Sequence, residues 1–578
     1  MTFTAFSCSF VFLYFRAIVS DAFTLQLLPD ETNITYLPVN ESITIVTGNL
    51  STDVFSVLCQ VHTQTGNISL SSEPIISYEN GVNGQDIGII SLRKGKISNI
   101  TWYLYSNSSI TVKVLINLQY FTDQDPLIGG CNEEFNLEND PNIHLNVYPT
   151  KSTVQYQWSN SGINPSTGVL PSCEDSTYQS YLDYTIYVYY LQADEFSVDN
   201  YFDSLRNMMT PYVAEKYGTK VHSTSNSGGQ KSTIDIASYK SRGVVYTIVV
   251  TYSNKKTGHV TKAAYIPVVS YGCDIEHQDV CKQRNAVNMV FCTIGGLIGL
   301  FICFVGHRYF KTVNFLFGFM IFSLIFYQIF TLETGINYTG TLVLAAIFGL
   351  IGGALLLGLW WYCGIPVLNV LIMGLLSGYI ITSVAFYTPL GNLSYFTSSF
   401  NYGAIFACGV LVVPVLLLCF TRFLSIFTCA LTGSLSIVIM LDIYLNSGLH
   451  YFILNSLRHG TDVSFIHVFI TGPYKQHEIA LTVVWILVFI FGLLVQLVRE
   501  RKKAPFPPCP RQLQDRDKDL RSLLRAHRGS PARSTQSRGD NSREPLLRGG
   551  NSRQYGATDS QTQTEEESEE EINRPRMV

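Results

Sequence analysis

At 578 residues the chain is too long for one domain, and its 14 % of charged residues falls well below the roughly one quarter usual in soluble proteins. Its 47 % of hydrophobic residues is concentrated between Ala286 and Val498. The formal charge of −4 averages unlike segments, and no basic nucleic-acid footprint appears in the ordered part.

Residues 1–22 read as a cleaved signal peptide, with FSCSFVFLYF as the apolar core and small residues at Ser20 and Ala22, although the first residues lack a positive charge. From Phe23 to Cys281 the pattern is β. DVFSVLCQVH, SITVKVLINLQYF, TIYVYYLQ and VVYTIVVTY are rich in Val, Ile, Tyr and Thr and are separated by turn residues. They predict a β-sandwich-type ectodomain in two modules, 23–150 and 151–281, meeting near Tyr148–Thr153. SVDNYFDSLRNMM predicts one helix capped by Ser197, with Val198, Tyr201, Phe202, Leu205, Met208 and Met209 on one face.

Six N-x-S/T sequons, at Asn33, Asn40, Asn49, Asn67, Asn99 and Asn107, predict an oxidising, glycosylating compartment. Sugars there would shield the first module and leave a partner-binding face on 125–272. Cysteine connectivity is not fixed by spacing. The expected pairs are Cys273–Cys281, a clasp before the membrane, and Cys131–Cys173, across the module boundary. Cys59 shares a strand face with Phe55, Val57 and Val61 and reads as a buried free thiol. Residues 123–145 are dense in Asp, Glu and Asn, but the spacing fits no calcium loop, so solvated turns and caps are expected there.

Seven apolar segments follow: 286–305, 312–330, 342–363, 364–388, 403–420, 424–445 and 479–498. Each has about the 17–25 residues a helix needs to cross a bilayer. The competing count is six, the hairpin at Tyr362–Ile365 being the least secure. With the amino terminus outside, Arg308, Lys311, Arg422, Arg499, Arg501, Lys502 and Lys503 fall on the cytosolic side and only Arg458 and Lys475 in outer loops. Lys282 and Arg284, just before the first span, sit on the unfavoured side. The sequons at Asn337 and Asn392 fall in outer loops. HRYFK (307–311) reads as a cytosolic hairpin, its aromatics at headgroup level and its charges in water. The 446–478 loop is expected to lie on the outer membrane interface.

Gly295/Gly299, Gly349/Gly353 and Gly374/Gly378 predict close helix packing inside the bundle. Asp442 is essentially the one ionisable residue within the spans, expected to snorkel outward and meet a loop histidine. His450, His459, His467 and His477 raise a zinc-activated water, but they form no i, i+4 pair and have no companion serine. No catalytic residue, metal or cofactor is therefore assigned. A G-protein-coupled receptor is disfavoured: WWYCGIP carries no acidic-Arg-Tyr triplet and IALTVVWILVFIFGLLVQLV no Asn-Pro-x-x-Tyr.

Residues 504–578 are polar, end in TEEESEEE and are expected to be disordered. RERKK could touch anionic lipid. DLRSLL supplies an acidic-x-x-x-Leu-Leu sorting pattern at Asp519, Leu523 and Leu524, with a clathrin adaptor as its partner.

DPLIGGCNEEFNLENDPNIHL, AAYIPVVSYGC, FICFVGHRYFKT and FYTPLGNL together resemble the transmembrane 7 superfamily member 3 family, whose spans are related to the transmembrane protein 198 group. The resemblance runs from about Thr52 to Pro508. It implies a multi-pass surface-membrane glycoprotein linked to cell survival and to attenuation of the unfolded-protein response, without catalysis. The ectodomain would bind an extracellular or membrane protein partner. The alternatives are a receptor of unconventional coupling and a transporter or metal-dependent membrane hydrolase.

Overall fold

The computed structural model describes residues 23–528 apart from short internal stretches, the longer being 75–80, 226–231, 276–280, 282–285 (with Lys282 and Arg284) and 334–337. The signal segment and the sequons at Asn40, Asn107 and Asn337 lie outside the described residues. The chain divides into two compact units, one ending at Gln514 and one beginning at Asp515.

The first domain is two facing sheets. One runs β1 (Phe23–Leu27), β3 (Ser42–Thr47), β8 (Thr101–Ser106), β5 (Ile68–Ser71), β6 (Gly81–Gly84). The other runs β2 (Thr32–Leu37), β9 (Val112–Phe121), β4 (Ser56–His62), β7 (Asp86–Leu92). Burial alternates along β3 and β8, so Ile43, Ile45, Trp102 and Leu104 meet Val57, Val61, Val114 and Ile116 between the sheets. Cys59 is an unbridged member of that core, and burial pushes its thiol pKa up. β4 is buried along its whole length because its second face is covered too: Leu58 joins the core of the next domain.

That second domain begins earlier than the sequence suggested. β10 (Leu127–Cys131) pairs with β13 (Trp158–Asn160), and β11 (His144–Val147) pairs with β12 (Lys151–Gln155), which pairs with β16 (Thr233–Ala237). The break therefore lies between Phe121 and Leu127, not at Tyr148–Thr153, which only turns a hairpin. Its main sheet runs β15 (Thr219–Ser225), β14 (Leu182–Ala193), β17 (Arg242–Asn254), β18 (His259–Ala264), with β19 (Val268–Ser270) also on β17. Cys131 and Cys173 are bridged, Cα atoms 5.6 Å apart, within this domain rather than across a boundary. Cys273 and Cys281 are bridged as well.

Among the described residues, helices here are α1 (Ser176–Gln179), α2 (Val198–Arg206) and α3 (Pro211–Tyr217). α2 is the helix read from the sequence. Ser197 Oγ accepts from Asn200 N at 3.3 Å, and Tyr201, Phe202 and Leu205, with Met208 and Met209 just beyond, are buried. In the acidic segment, Asp140 is 1 % exposed and accepts from Asn142, so it is a packed acceptor and not a solvated turn. Gly129 (φ +61°) is required there, since a Cβ would lie 1.8 Å from Asp140 O.

Long apolar helices follow: α4 (Ala286–Val305), α5 (Phe310–Glu333), α6 (Tyr338–Cys363), α7 (Pro366–Tyr387), α8 (Ser399–Leu417), α9 (Thr421–Leu445) and, after the short α10 (Tyr451–Thr461), α11 (Gln476–Glu500). By length and composition they form five candidate membrane segments, because 3-10 turns at Gly306–Tyr309 and Leu418–Phe420 keep two stretches of 43 and 47 residues helical throughout. Glycines bring backbones together. A Cβ on Gly433 would lie 2.5 Å from Cys303 N, one on Gly353 2.8 Å from Phe315 O, and one on Gly378 2.0 Å from Val410 O. Gly299, Gly349 and Gly374 also meet neighbouring helices, but Gly295 faces open space and Gly296 takes the contact, against Met440.

The tail differs from expectation. Residues 510–528 form a further helix, α12 (Pro510–Arg528), and Phe506 packs 5.4 Å from the Phe310 ring. Residues 529–578 lie outside the described residues.

Candidate functional site at the junction of domains and bundle

Between the two β domains stands Asp86, at the start of β7. It lies 2.8 Å from His62 Nδ1 and accepts from Tyr201 Oη at 2.6 Å and from Val269 N at 2.9 Å. Tyr201 is fully enclosed, so burial and the Asp86 carboxylate keep its phenol protonated well above the ordinary tyrosine range. Asn142 clamps Gly88 with two backbone bonds, 2.8 and 3.0 Å, and Gln119 Nε2 donates to Met209 O at 2.8 Å. Glycine is required at 88, because a Cβ would fall 2.5 Å from both Cys59 O and Ile266 Cδ1. These buried, satisfied bonds fix one domain on the other.

The second domain is seated on the bundle through residues 446–471. The sequence placed this loop on the membrane surface. Instead α10 and the strand-like segment after it are sandwiched by protein, with Tyr451, Phe452, Phe465, Val468 and Ile470 all buried. Their apolar side chains, HYFILN and VSFIHVFI, find cover against β-domain tyrosines and α7 rather than lipid. Phe469 adds a parallel bridge beside β16, Ala237 N donating to its carbonyl at 3.0 Å and its own N–H to Asp235 O at 2.8 Å. Tyr190 Oη donates to Thr471 O at 2.8 Å, and Tyr239 Oη donates to the same carbonyl. Thr150 Oγ1 donates to Asp462 at 3.0 Å. Burial opposes the charge of that carboxyl, yet this bond, those from Ser464, and Lys151 hold it below the usual carboxylate range.

At the centre is an ion pair. Arg242, which opens β17, reaches Glu478 Oε1 at 2.9 Å, and both side chains are 5 % exposed. The same Nη2 donates to Ser447 O at 2.7 Å. Beside it Asn446 Nδ2 donates to Asp194 Oδ2 at 2.5 Å. Among the described residues these two are the non-glycines with positive φ, +52° and +58°. A strained turn on each body is thus held by the other.

Asp442, expected to snorkel, is instead 1 % exposed. Its carboxylate accepts from Leu449 N at 2.8 Å, from His450 N at 3.0 Å and from the Ser447 hydroxyl, and lies 2.6 Å from His450 Nδ1. It shapes the turn that presents Ser447 O to Arg242. The histidine it was expected to meet is His450. The other loop histidines are dispersed: His459 stacks on Tyr402 at 3.9 Å, and His467 and His477 are exposed. Among the described residues no three His, Cys, Asp or Glu side chains converge as a metal would need.

Asn49, Asn67 and Asn99 are exposed and Asn33 is half-buried. Asn392 is not presented outward: its amide exchanges two bonds with the Ile470 backbone, 2.7 and 2.9 Å. At the other end of the bundle, HRYFK does not form a hairpin wholly in water. His307 is 4 % and Phe310 1 % exposed, because Gln496 accepts from His307 N, Ser425 Oγ lies 3.0 Å from its Nδ1, and Trp360 and Phe506 flank Phe310. Only Arg308, Tyr309 and Lys311 stay exposed. Asn314 and Asn369 both donate to Leu356 O, at 3.2 and 3.0 Å.

Sequence reasoning missed Arg242, Glu478, Tyr190 and Tyr239. The available signals were a lone arginine heading an apolar strand and a carboxylate opening the last apolar helix.

Comparisons with known proteins agree in three consecutive blocks. Residues 24–121 match the TM7SF3-like, N-terminal immunoglobulin-like domain, 126–276 the TM7SF3-like, second immunoglobulin-like domain, and 292–497 the TM7S3/TM198-like domain. Transmembrane 7 superfamily member 3 of Homo sapiens is 32 % identical over 490 residues, covering 82 % of this chain and 84 % of that protein. The proteins of the same description from Rattus norvegicus and Mus musculus are 33 % and 32 % identical, at the same coverage.

Proposed function

The chain belongs to the transmembrane 7 superfamily member 3 family, and from that premise we propose that it is a seven-span surface glycoprotein that senses a protein partner through its immunoglobulin-like domains and passes the bound state to its bundle. The observation that carries this reading is the Arg242–Glu478 junction. A domain that merely bound a ligand would need only a flexible stalk, whereas this one is clamped to the helices by a buried ion pair and tyrosine bonds. Movement of the second domain cannot leave residues 446–471 unchanged.

Seven crossings are supported by helix length, and helix direction is consistent with them. Each of the seven long helices, 19 to 26 residues, suffices for about 30 Å of hydrocarbon, while 43 or 47 residues in one direction would be about twice too long. Contacts of α4 with α9 pair Gly296 with Met440 and Gly306 with Cys429, an antiparallel register, as odd and even crossings require. Contacts of α4 with α11 pair Cys303 with Gly492 and His307 with Gln496, a parallel register, as first and seventh crossings require. The β domains then lie outside at the plasma membrane, with sugars on Asn33, Asn49, Asn67 and Asn99, and RERKK lies in the cytosol. Family membership favours a survival and stress-attenuating role. Transport through Asp442 loses ground, since that carboxylate is spent on its own turn.

Proximity labelling from the amino terminus of the full-length protein on living cells identifies the partner. Hydrogen exchange with and without that partner then tests the relay. Protection gained in 446–471 as well as in the β domains is expected; a change that stops at Ser270 would sink the relay.

A further inference from the structure

Every side chain described in α12, Arg511 and Leu513–Arg525, is exposed. A helix of 19 residues standing in water alone is marginal, so an outside surface must cover one face for it to persist. Leu513, Leu520 and Leu524 follow one another at i, i+7 and i+11 on one face, with Leu523 adjoining, and are 44 to 66 % exposed. Arg516, Asp517 and Arg521 border that face, and the helix holds six Arg or Lys against three Asp.

We propose that α12 is an interfacial helix that lies on anionic phospholipid headgroups with its leucines in the acyl boundary, withholding Leu523 and Leu524 from cytosolic proteins. Its start is fixed at the right depth. The Arg511 guanidinium sits 4.9 Å over the Tyr362 ring and donates to Tyr362 O at 3.3 Å. Trp361 and Tyr362, exposed at the end of α6, are the kind of aromatic pair that marks a membrane–water boundary. Four leucines would hold a free peptide on a membrane only weakly. Here the spanning helices have already delivered α12 to the surface, so its binding is intramolecular and a small affinity suffices. The charge decides the class of surface: basic residues beside a leucine face fit a negatively charged headgroup layer. The same leucines belong to DLRSLL, so occupancy by lipid and reading by an adaptor exclude each other.

The test uses the full-length protein in nanodiscs of phosphatidylcholine alone or with 30 % phosphatidylserine, and measures tryptic cleavage after Arg521 and Arg525 by mass spectrometry. Cleavage about tenfold slower in the phosphatidylserine discs is expected, with the difference lost at high salt. Leu520→Glu with Leu524→Glu should abolish the protection; cleavage elsewhere in the chain reports whether that variant is folded. Equal cleavage in both discs, or protection that survives the double substitution, would overturn the proposal. Protection that appears only on adding a purified clathrin adaptor, equally in both discs, would overturn it in favour of a protein-bound tail.

Discussion

Replacing Arg242 by methionine should loosen the junction by about 3–5 kcal/mol, the usual cost of removing one partner of a buried ion pair. Methionine keeps most of the apolar stem and removes every donor. Glu478, 5 % exposed, then lies opposite no guanidinium, and Ser447 O loses its 2.7 Å bond. Solvent screening offers little relief at that burial. Since about 1.4 kcal/mol is tenfold in an equilibrium, amides of 446–471 should open and exchange roughly a hundredfold to several thousandfold faster. The assay is hydrogen-exchange mass spectrometry on the full chain in nanodiscs, with first-domain peptides as the internal control. Arg242→Met combined with Glu478→Leu should recover to within about 1–2 kcal/mol of the natural protein, because an apolar pair avoids the cost of desolvating a carboxylate. An acceleration below about tenfold for the single variant, or a double variant whose cost is the sum of the two singles, would refute the reasoning.

Acid should also weaken the junction. Burial, then neighbouring His467, lowers the His459 pKa from the ordinary 6.5 to about 4. The folded protein holds this ring neutral while the unfolded chain binds the proton, so its contribution is complete above pH 6.5 and is lost as pH falls through 4. His459→Phe, which retains the stack on Tyr402, should flatten the thermal stability profile across that window. In the bundle, Gly433→Val should lower the melting temperature sharply, since its Cβ meets backbone at 2.5 and 2.6 Å, whereas Gly295→Val, with open space, should not. Glycopeptide mass spectrometry should find sugar on Asn49, Asn67 and Asn99 and none on Asn392, whose amide is occupied by Ile470. A glycan at Asn392 would overturn that placement of its amide.

What could be read from the sequence was whatever depends on local periodicity. The α2 face of Tyr201, Phe202 and Leu205 was legible because its period of 3.6 needs no distant partner. The apolar helices were legible because a bilayer sets their length; ends differ by four residues at most, as at 342 against Tyr338. The domain boundary was misplaced because residues 123–145 read as turns, and only the pairing of Leu127–Cys131 with Trp158–Asn160 says which domain owns that strand. The junction stayed hidden for the same reason. Arg242 and Glu478 are 236 residues apart, and nothing near either one announces the other. HYFILN carries the composition of a membrane-surface segment, and protein cover satisfies the same apolar demand as lipid. Asp442 reads as an exposed polar end until the turn that folds back on it is known.

The fastening between the second domain and the helices has a practical corollary for biochemistry. A secreted fragment stopped at Cys281 would bring a bare guanidinium at 242 and the aromatic rings of Tyr190 and Tyr239 into solution. Such bait would present a sticky seat that the intact molecule never shows, and what it captured would report on that wound rather than on the natural ligand.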